Sequence, residues 1–159
     1  MKYIKTGQTR SDFKRQYNVM VDDEDYKKLS SFNWQVDKYM SVSSHTTDKG
    51  RMLIHRYIMN CPDNMEIDHI DGNRLNNQKS NLRFATSAQN KMNRGPRKDN
   101  KSGFKGVSLN KALNKWTARI MIENKYKHLG LFETKEEAAK AYNEYAKENF
   151  GEFAWLNKL

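Results

Sequence analysis

"EIDHIDGN", residues 66–73, decides how this chain reads. Asp68, His69 and Asp71 crowd onto a short apolar segment that runs straight into a glycine turn. Ile67 and Ile70 mark the segment as a strand, and Gly72-Asn73 end it. Neighbouring side chains leave a strand on opposite faces, so Asp68 and His69 point apart. The chain as a whole carries a formal net charge of +10, and an acidic cluster repels phosphate, so it is out of place on a plain nucleic-acid surface. It makes sense where a metal ion sits, because a hard cation is held by carboxylate and amide oxygens.

Working outward, "MEIDHIDGNRLNNQKSNLRFATSAQNKMNR" reads as strand, long polar loop, strand and helix, with "NLRF" as the second strand. Thr86 followed by Gln89 is a capping box, in which each side chain satisfies the other's backbone N–H, and it places Asn90 about one turn into the helix. Asp71, Asn73 and Asn76 read as turn formers, since Asp/Asn/Gly clusters build loops by bonding their own backbone. Upstream lie the apolar run "RMLIHRYIMN", in which His55 reads as structural, and the turn "CPDN". Arg56 and Arg83 are open between neutralising a phosphate and pairing with local acids.

Phosphodiester hydrolysis needs a nucleophilic water, neutralisation of the phosphoryl oxygens and stabilisation of the leaving 3′ oxygen. One divalent cation supplies the last two, and a neutral imidazole deprotonates the water. The segment offers Asp68 as a hard oxygen ligand, His69 as a base and Asn90 as a source of an amide oxygen.

Residues 1–50 read as a strand-rich region: "YNVMV" and "NWQVDKYMSVSS" alternate, and "VDDEDYKKLSSF" between them makes a short helix opened by its acidic residues. No chemistry is assigned to this part. Only 36% of the chain is hydrophobic, so small modules are expected rather than one large core. The single Cys61 excludes a disulfide framework and a cysteine zinc cluster, and fits a reducing compartment. No apolar run approaches a membrane span, and "MKYIKTGQTR" lacks a signal-peptide stretch, so the expectation is a cytoplasmic protein with no membrane partner.

The charge is unevenly spread. Residues 1–90 carry a net +3, residues 91–128 a net +9 and residues 129–159 a net −2. Concentrated positive charge interleaved with Trp116, Tyr126 and His128 is the footprint of a phosphate backbone as partner. A charged, Pro- and Gly-containing linker at 95–102 precedes "FKGVSLN", "KWTARIMI" and "YKHLGLF", three strands of a meander. On the middle strand Trp116, Ala118, Ile120 and Ile122 share one face, which leaves Lys115, Thr117, Arg119 and Met121 free to meet a ligand. A second capping box, Thr134 with Glu137, opens the helix "KEEAAKAYNEYAKENF", which Gly151 terminates and whose alanines allow close approach to the sheet.

Two resemblances follow from these residues. "HR" at 55–56, "DHIDGNRLNN" at 68–77, "SNLR" at 80–83 and "QN" at 89–90 resemble the HNH endonucleases, in particular the ββα-metal nucleases of phage and intron-homing type. That resemblance implies a module over 51–94 in which His69 is the general base, Asp68 and Asn90 bind the metal, and Asn81 orients the His69 ring. Asn90 stands where many members have histidine; the oxygen-rich set favours Mg²⁺, or Mn²⁺, over Zn²⁺. Residues 103–159, with "GV", "KW", "LG.F.T.EEAA.AY" and "LN" in order, resemble the Apetala-two, or ethylene-response-factor, DNA-binding domain. Its sheet enters the major groove, which implies DNA contacts from Lys105, Lys115, Arg119, Tyr126 and His128. Ser108, Asn110, Arg119 and Met121 depart from the plant pattern, so its base preference does not carry over.

The expected molecule is therefore α+β: an HNH ββα-metal module followed by a three-stranded antiparallel sheet packed on one helix. The expected function is metal-dependent cleavage of double-stranded DNA by a homing-type endonuclease, acting as a monomer on an asymmetric site. The alternative is a sequence-specific DNA-binding regulator with an inactive HNH module; an RNA-binding protein using the same basic sheet is the third.

Overall fold

The computed structural model describes residues 1–6, 16–47 and 50–159. Part of the strand-and-turn reading of residues 1–50 therefore lies outside the described residues. The chain divides into two compact units, residues 1–90 and residues 91–159.

In the first unit β1 (Lys2–Lys5) pairs antiparallel with β2 (Asn18–Val21). The short helix α1 (Asp23–Leu29) follows, with Asp23, Glu24 and Asp25 in its first turn, where carboxylates offset the positive end of the helix. Next come β3 (Gln35–Val36), β4 (Val42–Thr46) and β5 (Gly50–Leu53), a three-stranded antiparallel sheet in that order. Helix α2 (Ile54–Met59) completes the scaffold. A single core gathers Ile4, Val19, Val21, Leu29, Trp34, Val36, Val42 and Ile54. The division expected at residue 50 runs through this core: Ile54 at the start of α2 is fully buried against residues that precede it. Trp34 anchors the core, its indole N–H donating to the Leu29 carbonyl at 2.8 Å.

Two antiparallel strands, β6 (Glu66–His69) and β7 (Leu82–Ala85), come next, and then helix α3 (Ser87–Met92). The α3 capping box is present: Thr86 N–H donates to Gln89 Oε1 at 2.8 Å, and Gln89 N–H to Thr86 Oγ1 at 3.2 Å.

The second unit is a meander of β8 (Val107–Asn110), β9 (Lys115–Ile122) and β10 (Lys125–Phe132), packed on helix α4 (Lys135–Phe150). Both bonds of the Thr134–Glu137 box form, each at 3.2 Å. Ala118 of β9 meets Ala138 and Ala139 of α4, and Ile120 meets Tyr142 and Ala146, so the small residues let helix and sheet close tightly. A register shift in β10 between His128 and Gly130 lets Tyr126 and His128 face outward while Leu129 and Phe132 join the core. The stretch expected as a linker at 95–102 is held within this unit by its own bonds. Ser102 Oγ lies 2.8 Å from the Val107 carbonyl, and Asn100 Nδ2 donates to the Phe104 carbonyl at 2.9 Å.

Candidate active site

The register of β6 on β7 assembles the site. Asp68 lies directly opposite Arg83, and residues opposed across a strand pair share a face. The guanidinium accordingly clasps the Asp68 carboxylate, Nε at 2.9 Å and Nη2 at 2.7 Å from Oδ2. Both side chains are withdrawn from solvent, at 5% exposure for Asp68 and 12% for Arg83. Glu66, two residues earlier on the same face, accepts a 2.6 Å bond from Asn90 Nδ2 on α3. That bond commits the nitrogen end of the Asn90 amide and leaves the oxygen end to serve as a ligand. One face of β6 thus carries two carboxylates and the Asn90 amide.

His69 leaves β6 on the opposite face and is buried. Its Nε2 lies 3.2 Å from Asn77 Oδ1, and its ring stands edge-on to that of His55, with centroids 5.2 Å apart. Asn77 is fully buried and fixed on two further sides. Its backbone N–H donates to Met20 O at 2.8 Å, and its Nδ2 to Arg74 O at 3.0 Å. With the nitrogen end given to a carbonyl, the oxygen end must face the ring, so Nε2 carries the hydrogen and Nδ1 is the basic nitrogen. Burial pushes the His69 pKa below its ordinary value, against the opposing pull of the Asn77 bond and the Asp71 charge. Burial thus favours the neutral form of the imidazole.

Asn77 is thus the asparagine that meets Nε2 of the His69 ring, and Asn81, expected to orient that ring, bonds the loop. Asn81 spends its amide on the loop: Oδ1 accepts from Asp71 N–H at 3.0 Å, while Nδ2 donates to Asp71 Oδ1 and Asn76 O, each at 2.9 Å. Asp71 also takes bonds from Asn73 N–H and Asn76 Nδ2. Burial raises its carboxyl pKa, but these bonds outweigh that and leave it below the usual value. Asp71, Asn73 and Asn76 are the turn formers their sequence suggests. Which asparagine of the "NN" pair turns inward is set by Met20, on a strand distant in sequence, and no local signal marks it.

The N-terminal residues to which no chemistry was assigned brace this loop. Met20 N–H donates to Leu75 O at 2.8 Å, and Asp22 accepts from Lys79 N–H at 2.8 Å and Gln78 Nε2 at 3.1 Å. Arg74 reaches Tyr39 O at 3.0 Å. Arg56 has a local task, donating to Met65 O at 2.7 Å and Pro62 O at 3.0 Å to hold the turn before β6.

Among the described residues no group of three His, Cys, Asp or Glu side chains gathers as a metal cage. The donor chemistry nevertheless fits a hard cation, since Asp68 and Asn90 offer oxygens only, and the buried Asp68 carboxylate already holds a positive group in Arg83. Guanidinium is here the stand-in for a cation.

In the second unit, Arg119 and His128 are paired across β9 and β10, Tyr126 is 67% exposed, and the Arg119 guanidinium lies 5.6 Å from the Tyr126 ring centroid. These three form one outward face. Lys115 lies on the same face of β9, with its ammonium 2.6 Å from Glu133. Lys105 departs from expectation. Its Nζ turns to the Met92 carbonyl at 2.6 Å, which ties down the chain ahead of the sheet, and burial lowers its pKa to about 8.

The histidine pair has a consequence for stability. Burial, with the neighbouring His69 and Arg56, pushes the His55 pKa down to about 3, whereas the unfolded chain protonates it near 6.5. Below that value the unfolded state takes up a proton that the folded state refuses, so stability falls with pH; at about pH 5 the loss is roughly 2 kcal/mol relative to about pH 7.5. Denaturant unfolding followed on the Trp34 indole resonance is expected to show this loss, and His55→Gln to flatten it. A wild-type protein equally stable at both pH values would mean that His55 titrates normally.

Comparison with known proteins agrees with this geometry. The HNH endonuclease family matches residues 60–92, and the AP2 domain family matches residues 102–152. An uncharacterized HNH endonuclease of Acanthamoeba polyphaga mimivirus is 36% identical over 137 residues, which covers 82% of this chain and 70% of the relative. Protein 3.8 of Escherichia phage T7 is 42% identical over 64 residues, covering 40% of this chain and 53% of that protein. No solved structure matches. The chain belongs to the HNH endonuclease family and carries an AP2 domain in its second unit.

Proposed function

We propose that the protein is a metal-dependent, homing-type DNA endonuclease that hydrolyses a phosphodiester bond at a site recognised by its AP2 unit. His69 is the general base: water attacks phosphorus, its proton passes to Nδ1, and the bond from phosphorus to the 3′ oxygen breaks, the leaving oxygen taking a proton from solvent. Asp68 and Asn90 would hold the divalent cation, most naturally Mg²⁺, which would neutralise the phosphoryl oxygens and stabilise the leaving oxygen. Asn77 holds the ring in the productive tautomer, and Asn81 keeps the loop that carries Asn77 in shape. Arg119, Tyr126 and His128, with Lys115 beside them, meet double-stranded DNA, and a single copy of the chain reads an asymmetric target.

The observation that carries this reading is the pairing of opposites on one strand. A buried carboxylate already compensated by a cationic group is followed directly by a neutral histidine whose tautomer is fixed. Incubation with a plasmid library of candidate targets is expected to give Mg²⁺-dependent nicks or breaks that EDTA abolishes. Cleavage that survives EDTA would overturn the metal assignment, and specific binding without cleavage under any divalent ion would favour a DNA-binding regulator with an inactive module.

A further inference from the structure

One Asp68 oxygen, Oδ2, receives two N–H groups of Arg83, so a cation on this carboxylate would have to share it with the guanidinium. A carboxylate buried this far needs a positive partner at all times, and losing it would leave an uncompensated charge away from water. A divalent ion on the same carboxylate would lie within a few ångströms of the guanidinium, where the two repel in a medium far less polar than water. The incoming ion thus meets an arginine that must give ground. Arginine's planar fork is also suited to phosphate oxygens, so a DNA backbone beside the site offers the displaced group a second acceptor.

We propose that Arg83 is an exchangeable counter-cation for Asp68: it neutralises the carboxylate when no metal is present, yields it to the metal, and passes to a phosphate of the bound DNA. This rests on the reading of Asp68 as a metal ligand. The consequence is thermodynamic coupling. The phosphate stabilises the arrangement in which metal and guanidinium are both present, so DNA tightens metal binding and metal tightens DNA binding by the same factor. The protein loads its cation poorly until it sits on DNA, which keeps the site idle in its absence.

The test uses the full chain in a His69→Ala background, so that DNA stays intact, with Mn²⁺ as the probe. Its affinity is read by isothermal titration and by the Mn²⁺ paramagnetic resonance signal, with and without a random-sequence duplex. Asp68→Asn is expected to abolish Mn²⁺ binding; if it does not, the ligand assignment fails and takes this proposal with it. Given that loss, Arg83→Gln is expected to bind Mn²⁺ at least about tenfold more tightly without DNA, because both the repulsion and the competing partner are gone. The variant is also expected to lose most of the gain in Mn²⁺ affinity that DNA confers on the Arg83 protein, and Arg83→Lys to keep it in part. Equal or weaker Mn²⁺ binding by Arg83→Gln would overturn the proposal and make Arg83 a group that merely holds Asp68 in place. The Trp34 indole resonance reports whether each variant retains its folded first unit, and a variant that unfolds is replaced by Arg83→Met, judged by the same affinities.

Discussion

His69→Ala is expected to lower the cleavage rate by about 10²–10⁴ while leaving DNA affinity unchanged. The expectation follows from position and protonation together. The ring is buried, neutral and held by Asn77 so that the nitrogen remote from that bond is the basic one. An alanine there removes the proton acceptor without touching Arg119, Tyr126 or His128, which belong to the other compact unit. Truncation also leaves the Asn77 oxygen without its ring partner, at a cost of roughly 1–3 kcal/mol in the first unit, so the variant is checked by its unfolding midpoint before its rate is compared. Single-turnover cleavage of a mapped target separates chemistry from binding. A rate within about tenfold of wild type in a folded variant would remove His69 from the reaction and with it the proposed mechanism.

What was legible in the sequence divides along a physical line. Helix α4 and the two faces of β9 were readable because they depend on short-range pattern. A capping box spans three residues, a strand alternates every second one, and the alanines that meet the sheet recur along one helix. The strand, loop, strand and helix order over 66–92 was readable for the same reason. The finer wiring of the site was not. The clasp of Asp68 by Arg83 depends on the register of β6 on β7, which rests in part on how the long intervening loop folds. The inward turn of Asn77 depends on Met20, more than fifty residues away in sequence. Met20, Asp22 and Tyr39 show no chemistry when read alone because they brace the loop over residues 74–79: Met20 through its backbone, Asp22 through its carboxylate and Tyr39 through its carbonyl. The bond of Lys105 is equally illegible: a lysine in a basic stretch reads as a phosphate contact, and nothing local marks the Met92 carbonyl that its ammonium meets.

Gly106→Ala is expected to cost the second unit on the order of 3–5 kcal/mol, close to all the stability that a module of this size owns. Gly106 has φ of +76°, a conformation side chains rarely adopt, and its carbonyl accepts the 2.7 Å bond from Arg119 N–H that ties the segment before β8 to β9. A Cβ at this position would stand 2.3 Å from the Tyr142 ring and 2.5 Å from the Arg119 carbonyl oxygen. Neither neighbour can yield cheaply. Tyr142 is 2% exposed and packed with Ile120 and Ala146 between helix and sheet, and the Arg119 carbonyl is strand backbone. Relief would require α4 to move off the sheet or β9 to shift, and either change disturbs the face that carries Arg119, Tyr126 and His128. The variant should therefore lose DNA affinity together with the thermal transition of residues 91–159, while the Trp34 indole resonance and the packing of the first unit persist, since the two units have separate cores. Heteronuclear NMR of the full chain reads both units in one sample. Retention of the second unit's dispersed signals and of DNA binding would show that the close approach at Gly106 is not what sets the sheet on its helix. Simultaneous collapse of both units would show that they unfold as one body, and that the reader cannot be disabled without disabling the nuclease.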